Sequence, residues 1–164
     1  MVSSPQSRSL NVDTGPTHAN DLLMSDPIYP RSPRETMSGW TYLPRFIDKI
    51  RLYIASKLHP DYQENFCKGF DGLWLKYSGV EADRFIEVVR NTITDGQVCD
   101  WVLKNIKQPD TVKAEHRDRI LNHPKKDNEE GVARLKMRKQ QAGMENRDDI
   151  QTFVDYIDAD EKRL

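Results

Sequence analysis

The sequence predicts an all-α fold, a compact helical bundle of about five to six helices. Three observations lead there. Apolar residues recur at three- and four-residue steps in several separate stretches, which aligns them along one face of a helix that turns about every 3.6 residues. Helix-start residues stand ahead of several of those stretches. Nowhere do apolar and polar residues alternate with the period of two that a half-buried strand requires, and no internal repeat or Gly-rich loop occurs.

The clearest element runs from Leu43 to Leu58. Leu43, Phe46, Ile47, Ile50, Tyr53, Ile54 and Leu58 form its apolar stripe, and Pro44 fits a first turn, where a missing N–H costs no intrahelical bond. Gly39 ahead and Pro60 behind bound it. The other face carries Arg45, Asp48, Lys49 and Leu52, and the apolar stripe is expected to form the core with Phe85, Trp101 and Phe153. A long connection follows, Leu58 to Phe70, whose aromatics imply an ordered loop packed on the core. Asp71 is expected to cap a short helix from Gly72 to Ser78, with Gly79 as a left-handed stop. Glu81 to Asn91 reads as an amphipathic helix. Thr94 and Gln97 form a capping box opening the helix from Asp95 to Ile106. Helical patterns continue over Asp110 to Leu121 and Glu129 to Gln141, separated by a charged break at Pro124 to Asn128. Asp148 with Gln151 suggests a further capping box for a last helix burying Ile150, Phe153, Val154 and Ile157.

Length and composition narrow the classes. The 164 residues suit one domain, expected at residues 29–164, after a Ser-, Pro- and Asn-rich stretch at residues 1–28 that reads as a loosely attached tail. Charged residues make up 31% of the chain and the mean hydropathy is -0.79. No run approaches the roughly 18 apolar residues of a membrane span, and the N-terminus lacks the apolar centre of a secretory signal. Two cysteines, Cys67 and Cys99, lie outside any metal-ligand spacing. Reduced thiols in a cytoplasmic protein are the expectation. A net charge of -1 exerts no overall pull towards nucleic acid or anionic membrane.

The candidate sites each have a structural alternative. Arg31, Arg34, Arg45, Asp48, Lys49 and Arg51 gather charge on and before the Leu43–Leu58 helix. They form either an anion pocket, with arginines gripping a phosphate or carboxylate, or a network of surface pairs centred on Asp48 that tethers the lead-in. The carboxylates Asp155, Asp158, Asp160 and Glu161 offer hard oxygen ligands. Their negative charge at a helix C-terminus opposes the helix dipole, so a salt-bridge network with a basic side chain of the Leu43–Leu58 helix is expected there rather than a metal. His18, His59, His116 and His123 have no zinc spacing; His116 is expected in the core and His123-Pro124 at a turn. Cys67, beside Lys68, is the stronger candidate for a reactive thiol, against a buried inert one. Lys125, Lys126, Arg134, Lys136, Arg138 and Lys139 form a basic stretch within Lys113 to Lys139, where basic residues outnumber acidic ones nine to five. No aromatic ring stands in Lys113 to Met144 for bases to stack on, so a solvated face docking on the acidic C-terminus is the simpler reading. Trp40, Trp74 and Trp101 are assigned to the core. No cofactor or metal is expected.

Several of these residues form a pattern. Pro30-Arg31-Ser32-Pro33-Arg34, Gly39-Trp40, Leu43-Pro44-Arg45-Phe46-Ile47-Asp48-Lys49 and the closing Arg147-Asp148-Asp149-Ile150 to Asp158-Ala159-Asp160-Glu161 resemble an uncharacterised bacterial family of about this length, known only as a domain of unknown function. The segment Lys113 to Asn122 departs from it in lacking a tryptophan. The resemblance implies that both ends belong to one domain, and it supplies no activity, substrate or catalytic residue. The leading functional expectation is therefore a non-catalytic helical domain that binds a protein partner or a small anionic ligand, in its simplest form as a homodimer. The alternatives are an enzyme of unrecognised type built on Arg45, Asp48 and Lys49 with Tyr62 or Asp71, and, with less support, nucleic-acid binding.

Overall fold

A computed structural model describes residues 27–164. Most of the expected tail at residues 1–28, and His18 within it, lies outside the described residues. The described chain is mostly helical and opens on one small hairpin. The elements are β1 (Thr36–Met37), β2 (Trp40–Thr41), α1 (Leu43–Ile54), α2 (Pro60–Gln63), α3 (Gly69–Ser78), α4 (Ala82–Arg90), α5 (Asp95–Asn105), α6 (Asp110–Leu121), α7 (Glu129–Gln141) and α8 (Phe153–Asp160). Eight described helices replace the expected five to six. One reason is that the connection after α1, read as a loop, carries the single turn α2, started by Pro60 with His59 accepting from the Asp61 N–H.

The hairpin has strands too short for any alternation to register in the sequence. Met37 faces Trp40 and Thr36 faces Thr41 in antiparallel pairing. The two-residue turn between them is Ser38-Gly39, with φ of 53° and 79°. Positive φ at both turn residues is what a tight hairpin matched to strand twist demands, so Gly39 is a turn residue rather than a helix breaker. The hairpin delivers Trp40 fully buried into the core, where α6 packs against β2.

That core is aromatic. Trp74 lies 4.5 Å from Phe85, 5.7 Å from Phe46 and 6.0 Å from Trp40, ring centre to ring centre, mostly edge-on or tilted. Each such ring removed from water contributes about 2–3 kcal/mol. Leu43, Ile47 and Ile50 of α1, Val89 of α4, Val98 and Val102 of α5, Ile120 of α6 and Val154 of α8 complete it. Trp101 is only partly covered, flanked by the Arg84 guanidinium. Phe153 belongs to a second cluster around Leu135, Ile150 and Ala159, and not to the α1 core expected for it. Tyr53 and Ile54 at the end of α1 are exposed, and the helix ends four residues before Leu58, which is buried on its own account.

Helix ends follow the capping chemistry with one shift. Thr94 and Gln97 form the expected capping box of α5, and Gly79 closes α3 with φ of 74°. At α8 the box is Thr152 with Asp155, not Asp148 with Gln151. Ile150 is consequently buried ahead of the helix rather than within it. Asp71 lies inside the first turn of α3, not at its cap, because α3 starts at Gly69. The α6–α7 link is tightly fitted: a Cβ on Gly131 would stand 2.8 Å from the Pro124 side chain and 2.9 Å from that of Asn128. The His123 carbonyl in this link accepts from the Phe153 N–H at 2.8 Å, which pins the start of α8.

Candidate functional site

Arg45 and Lys49 are one helical turn apart on α1, so they share a face. That face points inward: Arg45 is 2% and Lys49 4% exposed. The polar side of α1 is therefore partly buried. Two cations so deeply placed require counter-charges, and distant segments bring them. The Lys49 ammonium donates to Asp71 at 2.6 Å, and Asp71 also accepts from the Tyr42 hydroxyl at 2.7 Å and the Cys67 N–H at 2.9 Å. Both Tyr42 and Cys67 hold positive φ, 73° and 60°, so left-handed backbone at two non-glycine positions serves this one carboxylate. Burial, then the charge of Asp71, pushes the Tyr42 hydroxyl pKa well above its usual value.

The second pair is bidentate. Arg45 donates to both oxygens of Glu161 at 2.9 Å and 2.6 Å, and also to the Pro30 and Arg31 carbonyls. Tyr62 and Arg163 donate to the same carboxylate, and the Arg45 guanidinium sits 5.5 Å from the centre of the Tyr62 ring. Burial pushes the Glu161 pKa up, but the hydrogen bond and charge of Arg45, with Tyr62 and Arg163, bring it below the usual carboxylate value. Dipole-opposing charge at the end of α8 thus meets a basic side chain of α1.

The lead-in is fastened by a partly exposed layer outside these pairs. Arg31 grips both oxygens of Asp48 at 2.8 Å and reaches Asp95 at 2.8 Å; Arg51 holds the other Asp95 oxygen at 2.6 Å. Asp48 therefore pairs with the lead-in, not with Arg45 or Arg51. Arg34 bridges Asp155 and Asp158, and the Ser32 hydroxyl donates to Asp158 at 2.9 Å. The structure thus brings Arg31 to Asp48 and Arg34 to Asp158, and places Arg45 and Lys49 beneath them. Asp160 stands apart: it is exposed overall and forms no ion pair among the described residues, and partial desolvation of its carboxyl, then the charges of Glu161 and Asp61, raise its pKa. Sequence reading left Tyr42, Asp95 and Arg163 out of the set. Nothing in their local spacing announces them, because each partner lies two to five residues away through a turn or many residues away in the chain.

Chemically, this arrangement is closed. Arg31, Arg34, Arg45, Lys49 and Arg51 each have a carboxylate at hydrogen-bonding distance. Two surface grooves lie elsewhere, and neither is lined by any of them. The larger groove, about 560 Å³, runs between α3 and α6 and the link to α7, past Phe70, Leu73, Arg119, His123 and Lys125. The smaller, about 300 Å³, lies along α7 and is lined by Lys126, Lys136 and Lys139 over Pro124, Leu135 and Ile150.

The remaining candidates resolve individually. Burial, then the charge of Asp71, raises the Cys67 thiol to about 11, which counters the activation by Lys68 that the sequence suggested. Cys67 and Cys99 are free thiols. His116 is fully buried between Trp40 and Tyr77 with neither ring nitrogen hydrogen-bonded, and burial lowers its pKa to about 4. Among the described residues no group of three or more His, Cys, Asp or Glu stands together as a metal site, and no helix is long and apolar enough to cross a membrane. The basic stretch divides: Lys125 pairs with Asp118, Arg134 with Glu130, and Lys139 donates to the Arg147 and Ile150 carbonyls rather than to the acidic C-terminus.

Comparison with curated proteins finds no match. A family model does match, over residues 28–163, taking in the lead-in, both buried ion pairs and α8. The chain belongs to the family described as domain of unknown function DUF5069.

Proposed function

We propose that this protein is a single, non-catalytic helical domain, spanning residues 29–164, that binds a small anionic ligand. The observation that carries the non-catalytic reading is that each cation around α1 has an internal carboxylate partner. A general acid–base site needs a group poised near neutral pH within reach of a substrate. Asp48 is tied at both oxygens by Arg31, and Asp71 and Glu161 are saturated by internal donors. This supports a fastening role for the charged face and moves binding to the open grooves. The free thiols, with the bacterial family resemblance, support a cytoplasmic setting.

The test is direct. Native mass spectrometry on the purified protein, with light scattering and affinity pull-down, is expected to reveal a retained small anion or a partner, including a second copy. A monomer carrying no metabolite and capturing no protein would sink the reading.

A further inference from the structure

Along α7, Val132, Leu135, Lys136 and Lys139 fall on one side at three- and four-residue steps, and the segment returning to α8 closes a groove over them. Its base is apolar, with Pro124, Leu135 and Ile150 buried. Its rim carries Lys126, Lys136 and Lys139 against a single acid, Glu145. Three nearby carboxylates are engaged elsewhere, Asp118 by Lys125, Glu130 by Arg134 and Asp149 by Arg147, while Asp127 and Asp148 are exposed to solvent. Lys139 is half-buried, and its ammonium is held by the Arg147 and Ile150 carbonyls at 2.6 Å and 3.3 Å. Carbonyl dipoles fix that ammonium without neutralising it. Among the described residues none of the three lysines has an ion-pair partner, in contrast to the cations of α1.

We propose that this groove binds a small amphipathic anion, an aliphatic tail ending in a carboxylate. The proposal rests on the reading of the chain as an anion-binding domain and assigns that reading a place and a ligand class. The tail would lie against Val132, which is 43% exposed, and the lysine stems beside it, where it removes apolar surface from water. The charged head would meet Lys126 and Lys136, whose flexible stems let the ammonium follow a hydrated anion. The groove's volume of about 300 Å³ is at the small end for ligand sites, and no Phe, Tyr or Trp lines it, which disfavours a nucleic-acid strand that would stack its bases.

Amide chemical shifts followed during titration with octanoate, octylammonium and inorganic phosphate test this. Octanoate is expected to produce saturable shifts centred on Val132, Lys136 and Gln151, with octylammonium giving none and phosphate binding more weakly. In the K126E/K136E double variant, both positions being exposed, octanoate binding is expected to weaken roughly tenfold or more, and in Glu145→Lys to tighten roughly threefold. Unchanged octanoate binding in the double variant, equal binding of octylammonium or phosphate, shifts centred instead on Phe70 and Leu73, or no saturable shift at all would each overturn the assignment. The broader reading is judged separately, by whether the purified protein retains any anion or partner.

Discussion

The α1 seam and the α7 groove begin from the same kind of sequence, a helix dense in basic residues, and end in opposite electrostatic states. In the seam, Arg45 and Lys49 turn inward and acquire Glu161 and Asp71 from segments far along the chain. In the groove, Lys126 and Lys136 stay exposed and Lys139 is held only by carbonyls. The difference lies in what packs over each helix. Core elements, the lead-in and the Glu161 segment cover α1, so any cation there needs a partner or the fold is lost. Helix α8 and the connection before it cover one side of α7, and water solvates what the protein does not. A cluster of like charges in a sequence therefore says little about function until its counter-charges are located.

The largest expected effect breaks the seam. Asp71→Ala strands the Lys49 ammonium and the Tyr42 hydroxyl in the core, and denaturant unfolding should show a loss of about 3–5 kcal/mol. A loss below about 1 kcal/mol would mean that water reaches Lys49 and the seam is not closed.

The next concerns His116, a buried base with no partner. Its folded pKa, about 4, is lower than its unfolded value of 6.5, so folding favours the neutral ring. The stability it contributes is complete above pH 6.5 and lost as pH falls towards 4, with about 2 kcal/mol gone by pH 5. Thermal melts between pH 7 and 5 should show this decline, and in His116→Leu the decline should largely vanish while stability at pH 7 holds, since no hydrogen bond is broken. An unchanged slope in that variant would assign the acid sensitivity to other groups.

Gly131→Ala tests the link beside the groove. Its new Cβ meets Pro124 and Asn128 at under 3.0 Å, and a loss of about 1–3 kcal/mol is expected from the forced repacking. Octanoate shifts along α7 should change with it if the link shapes the groove.

The smallest effect sharpens the contrast. K126E/K136E should leave the unfolding free energy within about 0.5 kcal/mol of the parent, because exposed unpaired lysines support little structure. A large loss there would make these lysines part of the scaffold instead of a rim for a ligand.

Much of the fold was legible because its signals are local. The α5 capping box, the Gly79 stop and the bounds of α7 each depend on residues within four positions of one another. What escaped depended on length or distance. Two-residue strands carry no period, so the Ser38-Gly39 hairpin was invisible. Thr152, not Asp148, caps α8, because the His123 carbonyl fixes where that helix starts and periodicity does not record a tertiary tether. The charged positions on α1 were visible as candidates, but their orientation was not. An Arg on the polar side of a helical wheel looks solvated until Glu161 is placed above it; the pairing was legible only from the acidic end, where charge opposing the helix dipole called for a basic side chain of α1 without saying which.

The clasp between Arg45 and Glu161 closes over 116 positions of sequence, and this bears on how the chain is born. During synthesis α1 emerges with its inward cations bare, and the acid that completes Arg45 follows 116 positions later. The Pro30 carbonyl likewise waits for Arg163. A nascent chain halted anywhere short of Glu161 would hold an α1 that cannot be buried without stranding a charge. Burial of the Arg45 face of α1 thus waits for Glu161, and assembly of the native core follows the arrival of that one acid.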